Sequence, residues 1–208
     1  HRHTDEGEIY FVANTGDARE VDVQFNVIGK AVEIWHADTG VIVPASFRQE
    51  GQATHVSLSM GDQESFFVVF REPTEKKSFV FDAPKFSPKL TITGEWQVNF
   101  QPNRGAPAGV RLDVLDSLST HDDPGIRYFS GVATYHNSFT LPAVVNSSAP
   151  LLLDLGQVGD VAEVYINGKY AGTAWKPPYH VDISREVRAG VNALEVRVAN
   201  LWVNRLIG

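Results

Sequence analysis

The chain has 208 residues, with 18 Lys and Arg against 25 Asp and Glu, a formal charge of −7 and a pI near 5.4. That balance speaks against nucleic acid as a partner, which selects a basic face, and no run of about 18 apolar residues offers a membrane-spanning helix. Cysteine is absent, which removes disulfides and thiolate metal sites, while a hydrophobic content of 43% is ample for a folded core.

The N-terminal His1-Arg2-His3-Thr4-Asp5 is polar and has neither an initiator Met nor the apolar stretch of a leader, so it reads as the start of an excised or processed fragment. Ile9 to Ala13 is nearly continuously apolar, as a strand covered on both faces would be. Asn14-Thr15-Gly16-Asp17 turns the chain, and Val21 to Val27 then alternates strictly between apolar and polar residues, the mark of a strand with one buried face. Trp35 shares a strand face with Glu33, Asp38-Thr39-Gly40 is a second turn, and Phe66 to Phe70 is a second two-sided apolar run. Charge in Glu72 to Lys77, with Pro84 and Pro88 following, predicts a connector over 73–89 between a small module at 1–72 and a larger one at 90–208. Phe79, Val80, Phe81 and Phe86 make that connector apolar enough to pack across an interface.

In the larger module, Trp96 reads as a core residue of the opening strand. Gln101 to Pro124 is irregular, rich in Gly, Pro and Asp, and loops of this length often carry binding function. Ala162 to Ile166 and Leu194 to Val198 alternate again. Asn167-Gly168 between two strand-like runs is a strong hairpin signal, because a type I′ turn needs positive φ at both central residues. No amphipathic helix of a dozen residues is evident. The fold class is all-β: a small antiparallel β-sandwich module followed by a galactose-binding-like jelly-roll β-sandwich.

Three blocks of the larger module occur in a telling order: Tyr128-Phe129-Ser130-Gly131 to Leu141-Pro142, Leu153-Asp154-Leu155-Gly156 to Asn167-Gly168-Lys169, and Trp175-Lys176-Pro177-Pro178-Tyr179 to Asn200-Leu201-Trp202-Val203-Asn204-Arg205-Leu206-Ile207-Gly208. Together they resemble the jelly-roll sugar-binding domain of the family 2 glycoside hydrolases. The third block, with Ile9 to Asn14 of the first module, is similar to the C-terminal β-domains of the family 106 α-L-rhamnosidases. The resemblance implies a parent enzyme with a (β/α)₈-type catalytic domain, catalytic carboxylates, a calcium ion near the substrate, and a periplasmic or extracellular bacterial location. A barrel takes roughly 200–250 residues of alternating strands and helices, which this chain does not have, so none of the family's catalytic residues is carried over.

The candidate sites follow from chemistry and resemblance together. Sugars stack their C–H faces on exposed aromatic rings and pair their hydroxyls with polar groups. Trp175 and Tyr179, on a proline-stiffened loop, with Asn167 and Lys169 on the hairpin before it, make one candidate carbohydrate site. Trp202 with Asn204 and Arg205 makes another, since a guanidinium can fork onto paired oxygens. The alternative reading is that these rings cap the core and Arg205 ties down the terminus. His1, Arg2, His3 and Trp35 are candidates for the interface with the catalytic domain of the same polypeptide; a frayed terminus is the alternative for the first three. Asp113, Asp116, Asp122 and Asp123 could supply the oxygens of a calcium site, or Asp122-Asp123-Pro124-Gly125 is simply a turn. No cofactor is required; calcium is the one candidate. Three readings of function stand: a non-catalytic portion that braces the catalytic domain and holds rhamnose-containing oligosaccharide or polysaccharide, a spacer without ligand, and a stand-alone carbohydrate-binding module. A stand-alone hydrolase would require Asp122 or Asp123 to act, and no G-x-S-x-G motif offers a nucleophile instead.

Overall fold

The computed structural model describes residues 1–142 and 150–208, and the chain forms two compact units, His1–Ser87 and Pro88–Gly208. In the first, the alternating and two-sided runs become antiparallel strands: β1 (Arg2–His3), β2 (Glu8–Ala13), β3 (Arg19–Phe25), β4 (Glu33–Trp35), β5 (Ile42–Pro44), β6 (Phe47–Glu50), β7 (Ala53–Met60), β8 (Ser65–Phe70) and β9 (Ser78–Phe79). They sort into a five-stranded sheet in the order β1-β2-β8-β4-β5 and a four-stranded sheet in the order β3-β7-β6-β9. Strand β9 comes from the stretch expected as a connector, and Phe79 pairs with Phe47 across the sheet edge. Between the sheets, Phe25, Val56 and Leu58 meet Ile34, Phe66, Val68 and Phe70, all buried. Tyr10 meets Phe25 edge-on at 4.8 Å, a preferred aromatic geometry. Truncating a ring as buried as that of Phe70 would cost about 3–5 kcal/mol.

In the second unit the strands are β10 (Trp96–Phe100), β11 (Gly109–Leu112), β12 (Val132–Leu141), β13 (Leu152–Asp154), β14 (Val161–Ile166), β15 (Lys169–Ala174), β16 (His180–Asp182) and β17 (Gly190–Ala199). Two short helices, α1 (Pro124–Arg127) and α2 (Val203–Ile207), complete it. A six-stranded sheet runs β11-β10-β12-β17-β14-β15, and β13 pairs with β16 in a two-stranded sheet. The long central ladder holds Val132 opposite Ala199 and Leu141 opposite Gly190. Val98, Ala133, Val164, Ile166, Leu194 and Val196 from the large sheet bury against Val181 and Ile183, with Ile126 and Phe129 closing one end. Trp96 is buried here.

Asn167 and Gly168 form the β14–β15 turn with φ of 54° and 78°, the left-handed values that a tight hairpin needs. The neighbouring Asn192 is fully buried yet satisfied. Its Oδ1 accepts from Asn167 Nδ2 at 2.9 Å and from the Arg188 amide at 2.8 Å, and its Nδ2 donates to the Arg188 and Gly190 carbonyls. This amide is the joint between two turns at one end of the sandwich.

Candidate functional site

Strand register decides which candidates can act together. In the first unit, β2 pairs with β8 and β8 with β4, so Phe11, Phe67, Trp35 and Ile42 form one row on the face turned away from the four-stranded sheet. Phe11 is 60% exposed and Ile42 49%. Phe11 and Phe67 lie 5.4 Å apart. Trp35 donates from Nε1 to Glu33 at 2.9 Å, and Arg71, ion-paired to Glu33 at 3.1 Å, sits over the Trp35 ring. The polar groups beside this row are thereby matched to each other. Arg2 pairs with Ile9 on the same side. His1 and His3 lie on the other side: their rings contact the two oxygens of Glu8 at 2.6 and 2.7 Å, and His1 stacks on Tyr10 at 4.2 Å. The four residues expected at one interface are therefore divided between two faces, with Arg2 and Trp35 on the apolar one.

In the second unit, the hairpin-and-loop candidate separates into parts. Trp175 is 55% exposed, with Lys176 Nζ 6.0 Å from its ring centre. Tyr179 packs against the core. Asn167 spends its side chain on Glu186, Asn192 and Ala193. Lys169 is exposed. The Trp175 indole and Lys169 remain exposed here.

The C-terminal candidate gains partners that the sequence had not joined to it. Asn200 and Asn204 pin the terminal segment to the loop after α1: Asn200 Nδ2 donates to the Phe129 carbonyl at 2.7 Å, and Asn204 Nδ2 donates to the Arg127 and Phe129 carbonyls at 2.9 and 2.8 Å. Ser130 Oγ donates to the Leu201 carbonyl. Held this way, Trp202, Arg205 and Leu206 form one wall of an open cleft of about 340 Å³, with Asn103, Arg104, Gly105 and Ser130 opposite. Gly105, at φ +89°, lets the guanidinium approach; a Cβ there would stand 3.1 Å from an Arg205 nitrogen. Trp202 is 70% exposed. Arg48, Arg71, Arg111 and Arg197 each hold a carboxylate, whereas among the described residues no carboxylate lies within ion-pair distance of Arg104 or Arg205.

Two of the four candidate aspartates are engaged by nearby backbone amides. Asp123 caps α1, accepting from the Gly125 amide at 2.7 Å, and Asp116 accepts from the amide of Ser117. Asp113 and Asp122 are exposed. Among the described residues no group of three or more His, Asp or Glu could hold a metal ion.

Residues 1–49 match the glycosyl hydrolase family 106 model, described as alpha-L-rhamnosidase, and residues 116–206 match the glycosyl hydrolase 2 galactose-binding domain-like model. The solved rhamnosidase from Novosphingobium sp. PP1Y is 44% identical with a TM-score of 0.92, over 100% of this chain and 20% of that one. The chain resembles the β-portion of a rhamnosidase. A curated relative, described as a putative beta-glucuronidase from Formosa agariphila, is 45% identical over 120 residues, which are 57% of this chain and 10% of that protein. The chain thus spans a fifth or less of these two proteins. Trp202 and Arg205 fall inside the galactose-binding-like span; Asn103, Arg104 and Gly105 fall before it.

Proposed function

We propose that the chain is a non-catalytic portion of a larger rhamnosidase-like glycoside hydrolase, that the first unit braces the catalytic domain, and that the second presents aromatic rings to carbohydrate. The observation that carries this reading is the outer face of the five-stranded sheet. Strands β2 and β8 are apolar on both sides, which is the pattern of a sheet covered twice. One side faces the four-stranded sheet, while the Phe11-Phe67-Trp35-Ile42 row has no cover within its own unit. A contiguous apolar surface whose neighbouring Glu33 and Arg71 are already paired suits a protein partner. The likeness to a fifth of a rhamnosidase supports the rest of such an enzyme as that partner. Asp123, one of the two aspartates that hydrolysis would require, is instead engaged as the cap of α1, whereas glycoside hydrolysis uses a pair of available carboxyl groups about 5–9.5 Å apart.

The test is the intact mass of the polypeptide as its source makes it, followed by Phe11→Lys in that polypeptide. A mass several times 22.9 kDa is expected; a mass near that value would overturn the bracing role. A ring of about 200 Å² that is 60% exposed leaves about 120 Å² for a partner to cover, worth about 3 kcal/mol. Phe11→Lys should therefore destabilise the parent by about that much more than it destabilises this chain alone. Hydrolysis of an aryl rhamnoside by the 208-residue chain, abolished by Asp122→Asn or Asp123→Asn, would overturn the non-catalytic reading. A spacer without ligand would show no change in any tryptophan resonance at millimolar neutral or acidic sugar.

A further inference from the structure

We infer that the cleft between α2 and the 103–105 loop is a binding site for an acidic saccharide, a pyranose that carries a carboxylate. This rests on the reading that the second unit meets carbohydrate, and it names the place and the class of sugar. The chain is acidic overall at −7, yet this cleft joins Arg104 and Arg205 with no acidic side chain of the described residues in ion-pair range of either. Two guanidinium groups left without a carboxylate set a local positive field inside a negative molecule. The planar fork of a guanidinium matches the two oxygens of a carboxylate. On the same wall as Arg205 stands the exposed indole of Trp202, and an indole offers the flat face on which the C–H side of a pyranose packs. Ser130 Oγ, already donating to Leu201, keeps lone pairs for a sugar hydroxyl, and Asn103 adds an amide at the rim.

The wall is also held in place before any ligand arrives. Asn200 and Asn204 fix the segment that carries Trp202 and Arg205 to the carbonyls of Arg127 and Phe129. Less ordering entropy is then spent on binding.

The experiment is a titration of the 208-residue chain, followed by the indole N–H resonances of its four tryptophans, with Trp202 assigned from the Trp202→Phe variant. The probes are methyl glucuronoside, methyl glucoside as its neutral counterpart, and sodium acetate as the bare carboxylate, all at matched ionic strength. Methyl glucuronoside should shift Trp202 in the millimolar range, with methyl glucoside and acetate each at least about tenfold weaker. Arg104→Gln and Arg205→Gln should each weaken the glucuronoside about tenfold or more, with the Trp96 and Trp175 resonances unmoved as the sign of an intact fold. Equal shifts from glucoside and glucuronoside, or full affinity in a variant carrying both Arg104→Gln and Arg205→Gln, would overturn the proposal, and so would acetate matching the glucuronoside. If sugars move Trp175 and leave Trp202 unmoved, the cleft is refuted while the carbohydrate reading stands. If no sugar moves any ring, both fail together and only the bracing role, which the intact mass tests, is left.

Discussion

Replacing Asn204 with Ala tests how the terminal helix is held. The helix α2 has five residues and buries none of them, and so short a helix does not form by itself in water. Its attachment on this side is the Asn204 amide, which donates to the Arg127 and Phe129 carbonyls. The Phe129 carbonyl keeps Asn200 as a donor, so Asn204→Ala leaves the Arg127 carbonyl without this partner. At about 0.5–1.5 kcal/mol net per hydrogen bond, the loss is about 1–3 kcal/mol. Every 1.4 kcal/mol is about tenfold, so the detached population of residues 201–207 should rise about five- to 150-fold. The core of the second unit contains no α2 residue, so its melting temperature should move by no more than about 2 °C. Hydrogen exchange with mass-spectrometric readout gives both quantities: exchange should accelerate over 201–207 and stay slow over β12 and β17. Unchanged exchange at the terminus would refute the clamp. Acceleration across the whole unit would refute the view that the terminus opens locally.

Two further outcomes follow from buried groups. Asn192→Leu removes a satisfied buried amide and strands the Arg188 amide and carbonyl, the Gly190 carbonyl and the Asn167 side chain; it should cost about 3 kcal/mol or more, read as a lower urea midpoint. Burial raises the Tyr135 phenol above its ordinary 10.0. The folded state then favours the neutral phenol, so stability is fully present below pH 10 and falls as pH rises past that value toward the higher folded pKa. Urea midpoints followed from about pH 9 to about pH 11 should decline, and Tyr135→Phe should flatten the decline.

The sequence carries the long strands plainly and the short ones poorly, for a physical reason. Strands β3, β14 and β17 repeat with period two, and β2 and β8 are apolar from their second residue onward, so each is legible from its own residues. The Asn167-Gly168 turn is equally local. By contrast β9, β13 and β16 are two or three residues long and exist because a distant edge completes their ladders. Ser78–Phe79 looks like part of a charged, proline-flanked linker until Phe47 pairs with it. Asn192 reads as turn punctuation, and only the fold shows it buried with four partners. The candidate site follows the same rule. Trp202 and Arg205 are conspicuous in one block, but Arg104 stands in an irregular loop far along the chain. Only the irregularity and length of that loop marked it for binding; nothing local singled out Arg104.

The two aromatic surfaces of this chain are chemically unlike, and the difference decides what each can recognise. A sugar is held by directional pairs to its hydroxyls as much as by a ring. The Phe11-Phe67-Trp35-Ile42 row supplies few such pairs along its Trp35 end, because Glu33 beside it already holds both Trp35 and Arg71. Placing a sugar there would desolvate hydroxyls without replacing their water, at a cost that stacking on a phenyl ring would not recover. Covering the same row with apolar side chains has no such cost and gains from burial alone. The cleft at Trp202 inverts each term: one ring, two guanidinium groups without an acidic partner among the described residues, and an open mouth. Burying it under an apolar protein surface would strand two charges, whereas an acidic sugar would pair them. The first surface therefore suits a domain and the second a carboxylated saccharide, and a single substitution in each, Phe11→Lys and Arg205→Gln, should disable one without disturbing the other.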